Sequence, residues 1–156
     1  MPFLCLLFIK CIVCIGDNMS RVKYTTKEIE LLARLMRAEA LGEGNTGMLL
    51  VANTGINRVV AGCNEFKRIN SITKMVYQRP GGFEGATSPL FNTTPRTSQK
   101  EFARKAIKFW RGHPATKALW FRTPINGGCQ SFYGKFSGRY KNHCFYNPEN
   151  PKKCNL

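Results

Sequence analysis

The first apolar series of the chain repeats at helical spacing. Its members are three or four residues apart: Ile29, Leu32, Met36 and Ala40. That spacing places them on one face of a helix. Thr25 and Glu28 stand ahead of the series in the S/T-x-x-E pattern that caps helix starts. We therefore predict a helix over 26–41, ended by Gly42 and Gly44.

A second series with the same spacing predicts another helix over roughly 46–60. Its apolar members are Met48, Val51, Ala52, Ile56 and Val59. Asn45 or Thr46 can cap its start, because both side chains can accept a backbone hydrogen bond there. A short third helix is expected from Ser71 through Tyr77, before the turn-forming sequence RPGG.

Residues 85–97 read as a loop. Ser98 and Glu101 then repeat the capping pattern and predict a fourth helix over about 99–111. Its apolar stripe includes Phe102, Ala103, Ala106, Ile107 and Trp110.

Beyond residue 112 the chain changes to short aromatic runs broken by Gly, Pro and Asn, as in ALWFRT and in the segment from SFYG to HCFYNP. Such runs are typical of strands and extended loops. Helices first and strands last predict an α+β domain, with a helical N-terminal part followed by short aromatic-rich strands and loops.

The charge narrows the range of partners. A formal net charge of +15 favours an anionic polymer, such as nucleic acid, an anionic membrane surface or a bacterial wall. The basic residues are scattered rather than clustered, and the sequence contains no zinc finger, K/R-G-F-G-F strand or KH loop. A solvated basic surface explains this pattern better than a nucleic-acid groove.

Residues 1–18 read as a separate segment. Their apolar run is about 13 residues with Lys10 inside it, which is shorter than the roughly 20 residues that span a bilayer. The run lacks a preceding basic region and a small-x-small cleavage site. We expect 1–18 to be an N-terminal extension outside the fold and 19–156 to be the functional domain. A membrane-associating segment is the alternative.

The cysteines leave two interpretations open. Three of the seven fall within residues 1–18, and Cys63, Cys129, Cys144 and Cys154 are widely spaced. Those four have no C-x2-C spacing, so a zinc site is poorly supported and no metal or cofactor is expected. Disulfides and buried free thiols remain equally open.

Glu39 is the acid whose position is hardest to explain structurally. It lies three residues after Met36, four after Leu35 and seven after Leu32, on the predicted core-facing side. Apolar neighbours and the helix C-terminus both raise the pKa of a carboxyl, as a general acid near neutral pH requires. The alternative is an ion pair with a nearby arginine: Arg34, Arg37 or Arg58.

The remaining acids leave few choices for catalysis. From Met19 onward the sequence has no aspartate, and no G-x-S-x-G elbow is present, so a Ser/His/Asp triad is not available. Glu43 and Glu84 lie beside glycine-rich turns, as Glu39 does. Cleavage of a glycosidic bond suits this set, because it needs one carboxyl of raised pKa and aromatic walls for the sugars. The aromatic end, residues 119–146, supplies candidate walls.

Four segments together resemble the SleB/CwlJ family of bacterial cell-wall hydrolases, and the CwlJ branch most strongly. They are RLMRAEALGEGNTGMLLVANTGINRV, MVYQRPGGFEG, HPATKALWF and GRYKNHCFYNP. The resemblance extends from about residue 24 to 150. It implies a fold distantly similar to lysozyme-like transglycosylases and activity on spore cortex peptidoglycan during germination. SleB-type relatives are lytic transglycosylases, and the resemblance places their catalytic acid at Glu39. Residues 1–18 have no counterpart in the CwlJ branch, which favours the extension interpretation.

We therefore predict a peptidoglycan-cleaving enzyme with Glu39 as its acid. The candidate substrate-binding residues are Glu43, Asn53, Asn57, Phe83, Glu84, Tyr133, Tyr140 and His143. Glu39 is expected in a groove lined by at least two of Phe83, Tyr133, Tyr140 and His143. The expected partner is the peptidoglycan glycan strand, with a spore-coat protein as a second candidate and neither nucleic acid nor a membrane. The expected location is the coat and cortex region of a spore. A hydrolytic muramidase using Glu39 and Glu84 and a non-catalytic basic wall-binding module are the alternatives.

Overall fold

The computed structural model describes residues 20–156, which form an α+β fold as predicted. Four helices occupy the N-terminal part: α1 (Thr26–Ala40), α2 (Gly44–Val60), α3 (Ile72–Val76) and α4 (Thr97–Lys108). Three strands follow: β1 (Trp120–Arg122), β2 (Lys135–Tyr140) and β3 (His143–Asn147). The predicted 1–18 extension lies outside the described residues.

The start of α1 follows the sequence prediction. The Thr25 hydroxyl accepts the Glu28 backbone N–H at 3.2 Å, and the Glu28 carboxylate accepts the Thr25 N–H at 3.0 Å. These reciprocal bonds satisfy donors that a helix start leaves free. Ser71 likewise caps α3, because its hydroxyl accepts the Lys74 N–H at 3.1 Å.

The other two capping predictions are wrong. Helix α2 begins at Gly44, directly after a 3₁₀ turn over Leu41–Glu43, so neither Asn45 nor Thr46 caps it. Gly44 has a φ of +77°, a conformation that favours glycine and allows the sharp turn between helices.

Helix α4 begins at Thr97, earlier than the Ser98 cap predicted. The Gln99 side chain accepts the Arg96 N–H at 2.9 Å and so has the role expected of Glu101. Glu101 instead pairs with Arg104 on the helix surface.

The segment predicted as a loop contains two short 3₁₀ turns, Glu84–Thr87 and Pro89–Asn92. The buried Arg37 side chain holds the second turn by donating to the carbonyls of Leu90 at 3.0 Å and Thr94 at 2.8 Å. This contact anchors the 83–94 segment against the last turns of α1.

The helical core forms where α1 packs against α2, α3 and α4. Leu32, Leu35 and Met36 of α1 are fully buried there. Burial of a side chain of this size stabilises the fold by roughly 1.5–3 kcal/mol. The predicted apolar face of α1 is therefore its packed face, and Glu39 lies at the C-terminal end of that face.

The three strands form an antiparallel sheet in the order β1-β3-β2. In its register, Phe121 pairs with Phe145 and Tyr140 pairs with His143. The central strand β3 is buried from His143 through Tyr146. The sheet packs beside the helices and brings β1 and the start of β3 toward the end of α1.

Two disulfides resolve the question left open for four of the cysteines. Cys63 bonds Cys154, 91 residues further along the chain, and Cys129 bonds Cys144. The first disulfide joins the segment after α2 to the C-terminal 3₁₀ turn, and the second joins the 123–130 loop to β3. The other cysteines lie outside the described residues.

Candidate active site

Glu39 lies half-buried in the last turn of α1. Its Oε1 accepts the backbone N–H of Gly85 at 2.5 Å. A Cβ atom at position 85 would lie 2.8 Å from that same oxygen, so the close approach requires glycine. The 3₁₀ turn at Glu84–Thr87 therefore fixes the direction of the carboxyl.

The ion-pair alternative for Glu39 does not hold in the described part of the chain. None of the ion pairs within residues 20–156 involves Glu39. Arg34 pairs with Glu30 at 2.6 Å, and Arg37 bonds carbonyls of the 90–94 turn. Arg58 donates from Nε to the Leu119 carbonyl at 2.7 Å. All three arginines thus have other partners.

Glu39 opens into a pocket of about 580 Å³ between the helices and the sheet. Five of the predicted site residues line it: Glu39, Phe83, Glu84, Tyr133 and His143. They come from α1, from the 83–84 segment, from the loop before β2 and from β3. Phe83, Tyr133 and His143, three of the four residues predicted to line a groove beside Glu39, line this pocket, so the predicted groove is present.

Aromatic side chains form much of the pocket wall. The Phe121 ring lies 5.7 Å from Phe83 and 4.7 Å from the His143 imidazole, measured between ring centroids. On the other side, the Tyr133 ring lies 5.8 Å from Trp120 and 4.7 Å from Phe132. Tyr133 is 62% exposed, so its ring is available to a ligand. An apolar wall with a few polar groups is typical of a ligand-binding pocket.

The pKa of Glu39 is raised above its ordinary value. Burial is the main cause, because it removes water from the charged form, and the nearby charge of Glu84 acts in the same direction. The Gly85 N–H and the Arg58 charge oppose the rise by stabilising the carboxylate. The net effect makes Glu39 a better proton donor near neutral pH than an exposed glutamate.

His143 is a buried neutral group at the pocket wall. It is 6% exposed, and its Nδ1 has no hydrogen-bond partner within the described structure. Burial lowers the pKa of His143, and the charge of Glu43 only partly offsets this. The imidazole is therefore uncharged at neutral pH and contributes a polar edge to an otherwise aromatic wall.

The structure does not bring Asn53 and Asn57 to the pocket, and the prediction that they face the cleft is wrong. Both are fully buried and absent from the pocket lining. Asn57 donates to the carbonyls of Ala115 and Ala118, each at 2.9 Å. Both asparagines accept hydrogen bonds from the half-buried Arg21. They hold the 115–118 loop against the helices.

Glu43 and Tyr140 also lie away from the pocket lining. The Glu43 carboxylate accepts the Asn142 N–H at 3.1 Å, and its backbone carbonyl accepts the Lys141 ammonium at 2.9 Å. Glu43 thus anchors the turn between β2 and β3. Tyr140 packs against the apolar cluster around Phe145.

Two charged pocket residues, Glu65 and Arg58, were not among the predicted site residues. Glu65 follows Asn64 in the connection after α2, and it lines the pocket and accepts the Trp120 indole N–H at 3.0 Å. Arg58 also lines the pocket and lies over the Phe83 ring, with 4.1 Å from its guanidinium carbon to the ring centroid. Burial lowers its pKa to about 10, so it stays charged at neutral pH. No local signal places either residue in the pocket, because Trp120 lies 55 positions from Glu65 and Leu119 lies 61 positions from Arg58.

Within residues 20–156, none of the helices combines the length and the apolar character needed to cross a bilayer. The same residues contain no group of three or more His, Cys, Asp or Glu side chains placed to hold a metal ion.

Comparison with solved structures places the fold. The catalytic domain of the Bacillus cereus SleB protein matches with a TM-score of 0.65 and 22% identity, covering 81% of this chain and 96% of that one. The catalytic domain of a germination-specific lytic transglycosylase, SleB from Bacillus anthracis, matches with a TM-score of 0.64 and 21% identity, covering 80% and 97%. At these identities the likeness concerns the fold alone.

Sequence comparison gives closer relatives. A protein named cell wall hydrolase CwlJ from Oceanobacillus iheyensis is 53% identical over 83% of this chain and 93% of its own length. The proteins of the same name from Halalkalibacterium halodurans and Bacillus subtilis are 46% and 45% identical, each over 83% of this chain and 92% of their own length. The family model described as Cell Wall Hydrolase matches residues 42–146. The chain therefore belongs to the cell wall hydrolase family, and it is an enzyme.

Proposed function

We propose that this enzyme cleaves the glycan strand of peptidoglycan as a lytic transglycosylase, with Glu39 as its acid. The observation that carries the proposal is a carboxyl of raised pKa, without an ion-pair partner in the described chain, that opens into an aromatic pocket. The names of the CwlJ relatives support a cell-wall substrate. The name of the Bacillus anthracis structure supports the reaction type, although its likeness to this chain is one of fold.

The reaction needs one carboxyl that first donates and then accepts a proton. Glu39 protonates the oxygen between N-acetylmuramic acid and N-acetylglucosamine, and the bond from that oxygen to the muramoyl C1 breaks. The muramoyl 6-hydroxyl then attacks C1 and loses its proton to the Glu39 carboxylate. The products are a 1,6-anhydromuramoyl end and a free N-acetylglucosamine hydroxyl, and no water is consumed.

The surrounding residues support this sequence in separate ways. The Gly85 N–H orients the Glu39 carboxyl and remains bonded to it in both protonation states. The rings of Phe121 and Tyr133 offer apolar faces to the sugars. His143 and Glu84 supply polar groups at the rim for sugar hydroxyls and amides.

A hydrolytic muramidase is the second candidate, and one observation favours it. Glu84 is exposed, lines the same pocket and lies close enough to raise the pKa of Glu39. A second carboxylate so placed could activate water or stabilise the positive charge that develops at C1. The binding-module and nucleic-acid alternatives have no such support, because the chain belongs to an enzyme family.

Product analysis separates the two reactions. Purified spore cortex is digested, and the fragments are identified by mass before and after borohydride reduction. A transglycosylase leaves anhydromuramoyl ends, which lack one water relative to the reducing ends left by hydrolysis and do not react with borohydride, whereas reducing ends gain two hydrogens. Reducing muramic acid ends would overturn the transglycosylase assignment in favour of hydrolysis.

We also propose a place for this activity in the spore. Two of the similar structures are SleB catalytic domains, one of them named as germination-specific, and the curated relatives are CwlJ proteins. The names support a cell-wall substrate and a role in germination. Action on cortex peptidoglycan, in the coat and cortex region, rests on the family resemblance. A spore-coat protein partner remains a prediction from the family resemblance. Loss of cortex breakdown in germinating spores that lack the protein is the expected result.

A further inference from the structure

The segment between β1 and β2, residues 123–134, forms one side of the active-site pocket. Thr123, Phe132 and Tyr133 of this segment belong to the pocket lining. None of the residues 123–134 is buried, and most of their side chains are exposed. A segment with so little buried surface opens locally at a small cost in free energy unless another contact restrains it. We call residues 123–134 the wall loop.

A covalent bond ties the wall loop to the sheet. Cys129 in the loop is bonded to Cys144 of β3. Cys144 is fully buried and pairs in the sheet register with Arg122 of β1 and Arg139 of β2, so its end of the bond is fixed. Cys144 also directly follows His143, which lines the same pocket. The disulfide therefore connects the exposed side of the pocket to its buried strand.

The noncovalent contacts of the wall loop are at least partly open to water. Arg139 donates to the Gly127 carbonyl at 2.7 Å, and the Tyr146 hydroxyl donates to the Gln130 carbonyl at 2.5 Å. The Phe132 ring packs against the Tyr146 ring, with 5.5 Å between their centroids. Water competes for such hydrogen bonds, so each adds little stability on its own. The position of the loop therefore depends on the disulfide.

The two disulfides differ in their access to solvent. Cys63 and Cys154 are 9% and 3% exposed, so a reductant reaches either sulfur only after the chain opens. Cys129 is only half-buried and lies in an exposed loop. Thiol–disulfide exchange needs access of a thiolate to one sulfur, and exposed disulfides are the ones that serve as regulatory bonds. The Cys129–Cys144 bond is therefore the one that a reductant meets first.

We propose that the Cys129–Cys144 disulfide is a redox switch: the enzyme is active while this bond is intact, and a dithiol reductant inactivates it reversibly. The inference rests on the proposed function in taking the Glu39 pocket as the active site. Without the bond, the wall loop leaves its place, and Phe132 and Tyr133 no longer form the pocket wall. Glu39 itself stays oriented, because α1 and the Gly85 N–H hold it.

The switch is a complete exchange between one protein disulfide and one dithiol. A thiolate of the dithiol attacks the Cys129 sulfur, the protein S–S bond breaks, and Cys144 leaves as a thiolate that takes up a proton. The second thiolate of the dithiol then attacks the mixed disulfide and releases Cys129, which is also protonated. The protein gains two electrons and two protons, and the dithiol loses them and closes to a disulfide. The oxidised form of the reductant reverses these steps.

The first test titrates the full wild-type chain with mixtures of reduced and oxidised dithiothreitol. At each ratio, free thiols are alkylated and located by peptide mapping, and the rate of cortex lysis is measured. The lysis rate should fall together with the Cys129–Cys144 bond, at a ratio that leaves the Cys63–Cys154 bond intact. The expected loss is about tenfold or more, because small displacements of substrate-positioning groups cost up to about 100-fold. Oxidised dithiothreitol should restore the rate.

Hydrogen exchange distinguishes release of the wall loop from unfolding. After reduction of the Cys129–Cys144 bond, the amides of residues 123–134 should exchange faster. The amides of α1, which carries Glu39, should exchange as they do in the oxidised protein. This measurement does not depend on catalysis.

Two matched variants locate the effect. Cys129→Ala with Cys144→Ala should lyse cortex at the slow rate of the reduced wild type and should not respond to dithiothreitol. Alanine adds no polar group at the buried Cys144 position, and circular dichroism verifies that the variant is folded. The control, Cys63→Ala with Cys154→Ala, should respond to dithiothreitol at the same ratio as the wild type. The wild-type titration tests the switch even if a variant fails to fold.

Two results would overturn the inference. The first is full lytic activity in wild-type protein whose Cys129 and Cys144 are both reduced. The second is unchanged hydrogen exchange in the wall loop after that reduction. Absence of lysis by the oxidised wild type would overturn the proposed function instead, and the exchange measurement would still decide whether the disulfide holds the loop.

Discussion

Replacing Glu39 with glutamine is the substitution that tests the proposed mechanism most directly. The change keeps the size of the side chain and keeps an oxygen that can accept the Gly85 N–H. It removes the proton that the proposed mechanism transfers to the glycosidic oxygen. We therefore expect a folded protein that has lost its lytic activity.

The expected loss of rate follows from the role assigned to the carboxyl. General acid help contributes about 10²- to 10⁴-fold. This range corresponds to roughly 3–5 kcal/mol of transition-state stabilisation.

The effect on folding stability should be small and should depend on pH. Losing the charge weakens the bond from the Gly85 N–H, by about 1 kcal/mol. Removing a partly buried charge acts in the opposite direction, at about 1.4 kcal/mol for each unit by which the folded pKa is raised. At neutral pH the two effects act in opposite directions, so the variant should unfold at a urea concentration close to that of the wild type.

The stability and the rate of the wild type should both fall as pH rises through the raised pKa of Glu39. A raised folded pKa means that the native state binds more protons than the unfolded state between the two pKa values, so wild-type stability falls as pH rises through that window. The variant lacks this dependence. The wild-type rate should likewise be greatest where Glu39 is protonated and should fall as pH rises above its raised pKa.

The assay measures release of fragments from purified cortex at several pH values, together with urea unfolding of each protein. Glu84→Gln is the matched control. A transglycosylase should keep most of its activity in this control, with the fall in rate moved to lower pH because one source of the raised pKa of Glu39 is gone. Unchanged lysis by folded Glu39→Gln protein would refute the reasoning, and equal losses in both variants would favour the two-carboxylate muramidase.

Three further predictions concern the framework of the site. Gly85→Ala should displace the proposed acid and lower kcat by about tenfold or more. The control is Gly42→Ala, which should leave kcat unchanged because a Cβ atom there meets no atom within 4 Å. Replacing Cys63 and Cys154 with serine should lower the free energy of unfolding by about 4 kcal/mol, since the disulfide closes a loop of 91 residues. Urea denaturation under non-reducing conditions measures this loss, and an unchanged midpoint would contradict the prediction. Deleting 1–18 should leave folding and cortex lysis intact, and loss of either in purified truncated protein would show that the segment belongs to the functional unit.

The sequence by itself determined the helices and one essential feature of the site. The spacing of Leu32, Leu35 and Met36 identified the packed face of α1, and the same spacing placed Glu39 at its end. The Thr25–Glu28 capping box was equally readable. These features depend on neighbours within about seven residues, and helical geometry alone relates such neighbours.

The tertiary structure decided which segment of the chain packs against each helix face. Asn53 and Asn57 share a helix face, as their spacing predicted, but the 115–118 loop covers that face and makes them structural. Glu65 reads as a residue of a polar connection, yet contact with Trp120, 55 positions away, brings it into the pocket.

The environment of Glu39 shows the same division. Periodicity placed Glu39 on the packed face of α1. Its raised pKa is caused first by burial and then by the charge of Glu84, while Gly85 and Arg58 oppose the rise, and the fold assembles all of these from separate segments. The cysteine pairing depends likewise on a contact across 91 residues. The spacing of residues along the sequence determines which side chains share a helix face, because the repeat of the helical backbone is fixed. It does not encode which distant segment packs against them, because that is selected by the burial and hydrogen bonding of the whole chain.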